Sequence, residues 1–365
     1  MSDQQIMRTA IQKVATGPEY SKDLTLDEAH AAMKVVLSGQ ADPVQAAVLL
    51  IALRMKRETL DEFTGALRAL REVTLEVVAD VAELLDVCDP YDGFTRGLLV
   101  SPFLPAVLAA CGVPTVSHGL ASTGPKFGAT HHSVLREAGI DVSLSPEQAA
   151  ARVADGAIGW AYVDQQQFCP SLSGLADLRR RIVKRPIITT IETLSGPIRA
   201  KGKTHMMSGY VHKAYPPIYA HLAREAGFDS AAIVRGVEGG MTPSLKQPAK
   251  LWSYHDFGAE TDLDMNPVAL GIQQESRGVP VPEQISAVKA SDNIATTIDV
   301  QQASKAAAEA GFSALKGQAG AARDSLTYAA AIALFHLKKV DSLAAGADQA
   351  RSVLDSGAAL ERFGV

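Results

Sequence analysis

The stretch that decides the fold is Ser117 to Gly139, SHGLASTGPKFGATHHSVLREAG. Its left flank, Val113 to Ser117 (VPTVS), is a short apolar run that predicts a strand. Its right flank predicts a helix starting near Thr130 to Ser133. Between them lies a small-residue loop with Gly119, Gly124 and Gly128, Lys126 in its middle, and His118, His131 and His132 at its margins. Such a junction leaves backbone N–H groups free and aims a helix N-terminus outward, which suits an anion. Lys126 adds a positive charge there.

On the amino-terminal side, residues 1 to 75 read as helices only. LTLDEAHAAMKVVLSG carries a capping box, Thr25 with Glu28, and stops at Gly39. Asp42 caps DPVQAAVLLIALRMK with Pro43 at its first position; the helix is apolar on most faces and is expected to be buried. Thr59 with Glu62 repeats the capping box ahead of DEFTGALRALREV. Three short helices cannot bury the central one alone, so the bundle should dock on the rest of the chain or on another copy.

From about residue 84 the pattern changes. LLDVCD, VPTVSH, IDVSL and IGWAYVD are short apolar runs separated by helix-like segments, one opened by Ser145, Pro146 and Gln148. RPIITTIETL, HMMSGYV, AAIVRGV and LWSYHD follow, with amphipathic PPIYAHLAREAG between two of them. Strands alternating with helices imply a mainly parallel sheet covered on both faces, with ligands at the carboxyl ends of its strands. CDPYDG, SHGL and GVEGG all fall at such exits and are expected to share one cleft. SGLADLRRRIVKR interrupts the alternation as a basic helix, and the tail from Asn293 onward is helical and alanine-rich.

The fold class expected is therefore α/β: a small all-helical N-terminal domain plus a larger α/β domain with a mainly parallel sheet covered by helices. The helical domain takes residues 1–78 with a returning segment at 173–195, and the α/β domain takes 79–172 and 196–365.

At 365 residues the chain is too long for one simple core, and its composition is globular, with 47% apolar and 21% charged residues. A net charge of −5 argues against a surface that is basic all over but leaves room for a local basic stripe. Cys88, Cys111 and Cys169 are widely spaced, without a CxxC pair, so neither a disulfide framework nor a thiolate zinc site is indicated. No run approaches the roughly 18 apolar residues of a membrane span, and MSDQQIMRTAIQK has no apolar signal core. The expectation is a cytoplasmic protein with no membrane partner.

These segments resemble anthranilate phosphoribosyltransferase and its relatives, a glycosyltransferase group that also includes pyrimidine nucleoside phosphorylases. VLLIALRMKRETLDEFTGALRALRE is similar to the family's N-terminal helices, and SHGLASTGPKFG stands where the family has KHGNRxVSxxSG. LADLRR looks like its xxVRK helix start, TLSGPIRAKG is similar to its LGPLTNP turn, and ARSVLDSGAALERF looks like its C-terminal helix. The resemblance covers nearly the whole chain. It implies a helical domain hinged to an α/β domain, a homodimer paired through the helical domain, and a cleft for phosphoribosyl pyrophosphate with magnesium (Mg2+).

The ligand loops depart from the family. Its GTGGD turn is replaced by Cys88-Asp89-Pro90-Tyr91-Asp92-Gly93, of which only Asp92 and Gly93 align. Pro90 removes an N–H donor, Tyr91 adds bulk and Asp89 adds negative charge, all against a pyrophosphate. The family's Asn-x-Ser-Thr becomes Thr95-Arg96-Gly97 followed by Leu98-Leu99-Val100-Ser101. His118, Gly119, Lys126 and Gly128 keep the family's spacing, while its Asn-Arg is Leu120-Ala121. Of the family's magnesium-binding Asp-Glu pair, Glu238 alone remains as a metal ligand. Arg179 matches an arginine that lines the anthranilate site.

The candidate binding residues are thus Asp89, Asp92, Gly93, His118, Gly119, Lys126, Gly128, His132 and Arg179. Asp89 and Asp92 reach one cation or hydroxyl pair, or simply form a turn. His118 contacts a ligand or bonds to backbone; His131 and His132, adjacent at a helix start, point in different directions. Arg179, Arg180, Arg181, Lys184 and Arg185 with Arg199, Lys201 and Lys203 form either a basic groove or a solvated face.

Two functions remain open. One is a divergent phosphoribosyltransferase-like glycosyltransferase that moves a pentosyl group of the ribose 5-phosphate type and releases pyrophosphate or phosphate. Its partner is a phosphorylated sugar or nucleotide-like molecule, and it is not an efficient anthranilate enzyme. The other is a non-catalytic homologue that binds nucleic acid through a basic surface on the dimer.

Overall fold

The computed structural model describes residues 1–285 and 298–364. Four helices open the chain: α1 Asp3–Val14, α2 Leu26–Leu37, α3 Pro43–Lys56 and α4 Leu60–Glu72. Both threonine capping boxes form, and Asp42 Oδ1 accepts from the Val44 and Gln45 amides at 2.9 and 3.1 Å. Gly65 lets α4 lie directly on α2, because a Cβ there would overlap the Leu26 and His30 backbone. Helix α1 is additional to the three expected helices and closes the bundle core with Met7, Ala10 and Val14.

Helix α3 departs from the expectation of full burial. It buries Ala46, Leu49, Leu50 and Leu53, whereas Val44, Val48 and Met55 are 70%, 41% and 77% exposed. Its apolar surface is wider than one bundle face can cover, so a second stripe faces outward.

The described residues contain nine strands: β1 Val77–Ala79, β2 Glu83–Cys88, β3 Thr115–Gly119, β4 Trp160–Asp164, β5 Ile198–Ala200, β6 Lys203–Tyr210, β7 Ser230–Arg235, β8 Ala249–His255 and β9 Thr261–Met265. β1 and β5 form a small parallel pair, and the main sheet runs β4-β3-β2-β6-β7-β8-β9. It is parallel from β4 to β7 and antiparallel at β8 and β9. The chain proceeds one way from β2 and the other way from β6. The carboxyl ends of these two strands therefore flank the switch point where α/β sheets gather ligands.

Two expected runs are not strands. IDVSL stays irregular because Asp141 Oδ1 takes the Ser143 amide at 2.8 Å and its hydroxyl at 2.6 Å, turning the chain away from pairing. RPIITTIETL forms two short helical turns, Ile188–Ile191 and Glu192–Leu194. The start of the helical tail, Asn293 to Thr297, lies outside the described residues. From Val300 the tail forms helices Val300–Leu315, Ala321–His336, Leu343–Asp355 and Ala358–Phe363.

Strand alternation divides the core into two. Leu85, Val87, Met207, Ala232 and Val234 face the tail helices, and Leu84, Met206, Ala231 and Ile233 belong to one cluster with the N-terminal bundle. The bundle thus finds within its own chain the apolar partner it needs, while the α3 stripe stays uncovered. No helix among the described residues is long and apolar enough to cross a membrane.

Candidate functional site

Two adjoining cavities open at the strand exits. The smaller, about 170 Å³, lies between bundle and sheet, lined by Arg54 and Glu58 on one side, Asp92 and Glu238 on the other, with Tyr215 and Tyr219 along its wall. Burial raises the Glu58 carboxyl above its ordinary range. The larger, about 790 Å³, is lined by Arg96, Lys126, Arg185, Arg235 and Arg277, with Glu238 as its carboxylate. Arg185 and Glu238 line both cavities. Arg96, Arg235 and Arg277 have no carboxylate partner among the described residues.

The join between the cavities is built from loops after β2, β3 and β7. Asp92, fully buried, accepts from Arg185 Nε and Nη2 at 2.9 and 2.6 Å through Oδ2. Its Oδ1 has no hydrogen bond and lies 3.6 Å from Lys126 Nζ. Lys126 Nζ is 3.5 Å from Glu238 Oε2. Glu238 accepts from the Thr95 amide at 3.1 Å and the Arg96 amide at 2.8 Å, and its own backbone is left-handed, with φ 54°.

Gly93 and Gly128 serve this join by close approach. A Cβ on Gly93 would overlap the Gly128 backbone, and one on Gly128 would overlap Phe94. The loops are then locked by reciprocal amide bonds between Phe94 and Ala129 and by the Gly128 amide on the Asp92 carbonyl, all at 2.9 Å. Two backbone donors of the loop are therefore spent internally, the Phe127 amide on the Thr123 carbonyl and the Gly128 amide on the Asp92 carbonyl. Helix His131–Glu137 is capped by Thr130, whose hydroxyl takes the Ser133 amide.

Several of the expected binding residues are engaged by partners within the chain. Asp89 is buried and accepts from Met241 N at 2.8 Å; its other oxygen meets Ser101 Oγ and His131 Nε2. Burial alone would raise its carboxyl, but these three partners hold it below its ordinary value. His118 is buried, with Nδ1 on the Tyr91 hydroxyl and Nε2 2.9 Å from Asp86 Oδ1, out of line for a hydrogen bond. Gly119 ends β3 within the core beside the Tyr162 ring. Arg179 is buried in a two-pronged pair with Glu192, both contacts 2.7 Å. His132 stays partly accessible and pairs through Nδ1 with Asp164 Oδ2 at 2.7 Å, so the two adjacent histidines do diverge.

The basic groove expected along 179–203 does not form as a continuous surface. Arg179 and Arg199 turn inward, Arg180 and Arg181 pair with Asp177, Arg185 with Asp92, Lys201 with Asp80, and Lys203 with Asp256. Most cations of this stretch are thus paired with carboxylates or turned inward. Sequence reasoning missed Arg235 and Arg277, whose only local signal is a position after a strand and in a polar loop.

The donor set does not fit magnesium as it stands. Glu238 is engaged by two amides and Lys126, and among the described residues no group of three His, Cys, Asp or Glu could hold a metal. A magnesium ion at Glu238 would need oxygens from a bound phosphate and displacement of these partners.

The fold and the strand-exit site define a glycosyltransferase-type protein. Residues 8–74 match the helical bundle domain of the glycosyl transferase family, and residues 96–360 match its a/b domain. The chain belongs to that family as an anthranilate phosphoribosyltransferase-like member. It is 30% identical to the anthranilate phosphoribosyltransferase of Bradyrhizobium diazoefficiens, over 98% of this chain and 96% of that one. It is 26% identical to that of Paracidovorax citrulli, over 94% and 92%. Its fold is shared by the Saccharomyces cerevisiae anthranilate phosphoribosyltransferase solved with PRPP and Mg, at TM-score 0.77 and 15% identity, covering 99% of this chain and 96% of that chain. The Thermus thermophilus enzyme gives TM-score 0.74 and 22% identity, covering 98% and 97%.

Proposed function

We propose that the protein is a phosphoribosyltransferase-type enzyme that moves a pentosyl group and releases pyrophosphate or phosphate. The observation that carries this is the convergence of Arg96, Lys126, Arg185, Arg235 and Arg277 on one cavity that meets a second, aromatic one at Asp92 and Glu238. In such a transfer the leaving phosphates gain negative charge while the sugar C1 becomes positive. The cationic cavity would take the phosphates, with Arg185 at the join and Lys126 beside it. Asp92 and Glu238 would face the developing positive charge. The cavity of Tyr215 and Tyr219 would hold a planar acceptor, with Glu58 within it.

In this reading the acceptor is not anthranilate, because Arg179 is already neutralised by Glu192. Residues 1–78 with 173–195 act as one helical unit against the rest. The protein works in the cytoplasm as a homodimer paired through the exposed stripe of α3.

A pyrophosphate-release assay with phosphoribosyl pyrophosphate, magnesium and anthranilate should run no faster than the same mixture without anthranilate. Efficient anthranilate turnover would remove the claim of a changed acceptor. No binding of phosphoribosyl pyrophosphate at millimolar concentration would remove the reading as a whole.

A further inference from the structure

We propose that Glu238 is an internal stand-in for the ligand's phosphate: its carboxylate occupies the anion seat of the cationic cavity and is displaced when a phosphate arrives. This rests on the phosphate-binding reading above and adds a specific competitor to it.

The seat consists of two consecutive amides and a cation. Arg96 N donates to Oε1 at 2.8 Å, Thr95 N donates to Oε2 at 3.1 Å, and Thr95 Oγ1 lies 3.5 Å from the same oxygen. Lys126 Nζ stands 3.5 Å from Oε2. Consecutive amides with a hydroxyl and an ammonium form a site for a tetrahedral oxyanion as readily as for a carboxylate. The remaining cations lack an internal anion: Arg96, Arg235 and Arg277 line the same space, exposed and without a carboxylate among the described residues. The carboxylate therefore satisfies the amides and leaves most of the positive field of the cavity unspent.

Glu238 is delivered to the seat by an arch. Residues 236–242 are closed by the Val237 amide on the Thr242 carbonyl at 2.9 Å and the Gly240 amide on the Val237 carbonyl at 2.9 Å. Gly209 and Gly236 let this arch pack on β6, since a Cβ on either would overlap the Gly240 carbonyl. Glu238 sits at its crest in a left-handed conformation, φ 54° and ψ 15°, which a non-glycine residue adopts at some cost. The crest holds the side chain at the join of the two cavities, so displacement needs a side-chain rotation and no change in the arch. Asp92 Oδ1, buried and without a hydrogen bond, also faces Lys126. It gives the lysine a second anion to lean on while Glu238 is away. A phosphate dianion carries more charge and more acceptor oxygens than one carboxylate, and can engage Arg235 and Arg277 as well.

The consequence is that the native side chain weakens phosphate binding by competition. Inorganic pyrophosphate titrated calorimetrically into the full chain should bind Glu238→Gln about tenfold or more tightly than the wild type, because the competitor loses its charge. Glu238→Asp, whose shorter arm cannot hold both amides, should also bind more tightly than the wild type, by a smaller factor. It serves as the second variant should Glu238→Gln melt early. Amide exchange at Thr95 and Arg96 supplies an independent readout. Without ligand it should speed up in Glu238→Ala, and pyrophosphate should restore the protection. Equal or weaker pyrophosphate binding by both Gln and Asp variants overturns the inference while leaving phosphate binding intact. Absence of pyrophosphate binding in wild type and variants alike overturns both the inference and the reading beneath it.

Discussion

Arg179 and Glu192 form a two-pronged ion pair with both partners almost fully buried, each of its two contacts 2.7 Å long. Gln165 adds an amide donor to Glu192 at 3.3 Å. Such a pair is costly to break from one side, because the survivor is left charged in the interior. Glu192→Gln or Arg179→Met alone should lower unfolding free energy by about 3–5 kcal/mol. The double replacement Arg179→Met with Glu192→Leu should recover most of that. Urea denaturation of the four proteins checks this; equal losses for single and double variants would contradict it.

A second prediction concerns acid. His205 Nδ1 and His336 Nε2 share the Ser230 hydroxyl at 2.7 and 2.8 Å, and the His336 ring stacks on His255 at 4.5 Å. Burial, followed by His255, His205 and Lys338, holds His336 well below its ordinary value. Burial is also the main cause that lowers His205, against the opposing pull of Glu83 and Asp229, and His255, against Asp256. A histidine whose folded pKa is depressed contributes its full stability above the unfolded value, about 6.5, and loses it progressively as pH falls below that point. Each proton taken up only on unfolding costs about 1.4 kcal/mol per pH unit. Melting temperature should therefore drop between pH 6.5 and 5, and His336→Asn should flatten that drop.

These features differ in how far the sequence reveals them. Capping boxes at Thr25 and Thr59 and the strand–helix alternation are local, so they can be read residue by residue, as can the placement of Lys126 at a strand exit. IDVSL looks like a strand because its apolar count outweighs the Asp141 side chain that turns it. Arg179 looks free because its neutraliser is supplied by a helical turn that reads as a strand. The amides that hold Glu238 lie 142 and 143 residues away, a distance over which periodicity and spacing carry no signal.

The exposed face of α3 yields a third prediction. Val44 and Val48, one turn apart, stand 70% and 41% exposed, with Met55 two turns further at 77%. A stripe of this kind on an otherwise packed helix suits a second copy of the chain. Val48→Asp should give a species of half the wild-type mass by sedimentation, with circular dichroism unchanged. An unaltered mass would exclude α3 from the interface.

The proposed function stands or falls on whether the cavity at Lys126 binds a phosphorylated sugar. Calorimetric titration of phosphoribosyl pyrophosphate into wild type and Lys126→Ala tests it most directly. Loss of a charged donor from the cationic cavity predicts binding weaker by about ten- to a hundredfold. Equal affinity in the two proteins, or no heat with either, would contradict the claim.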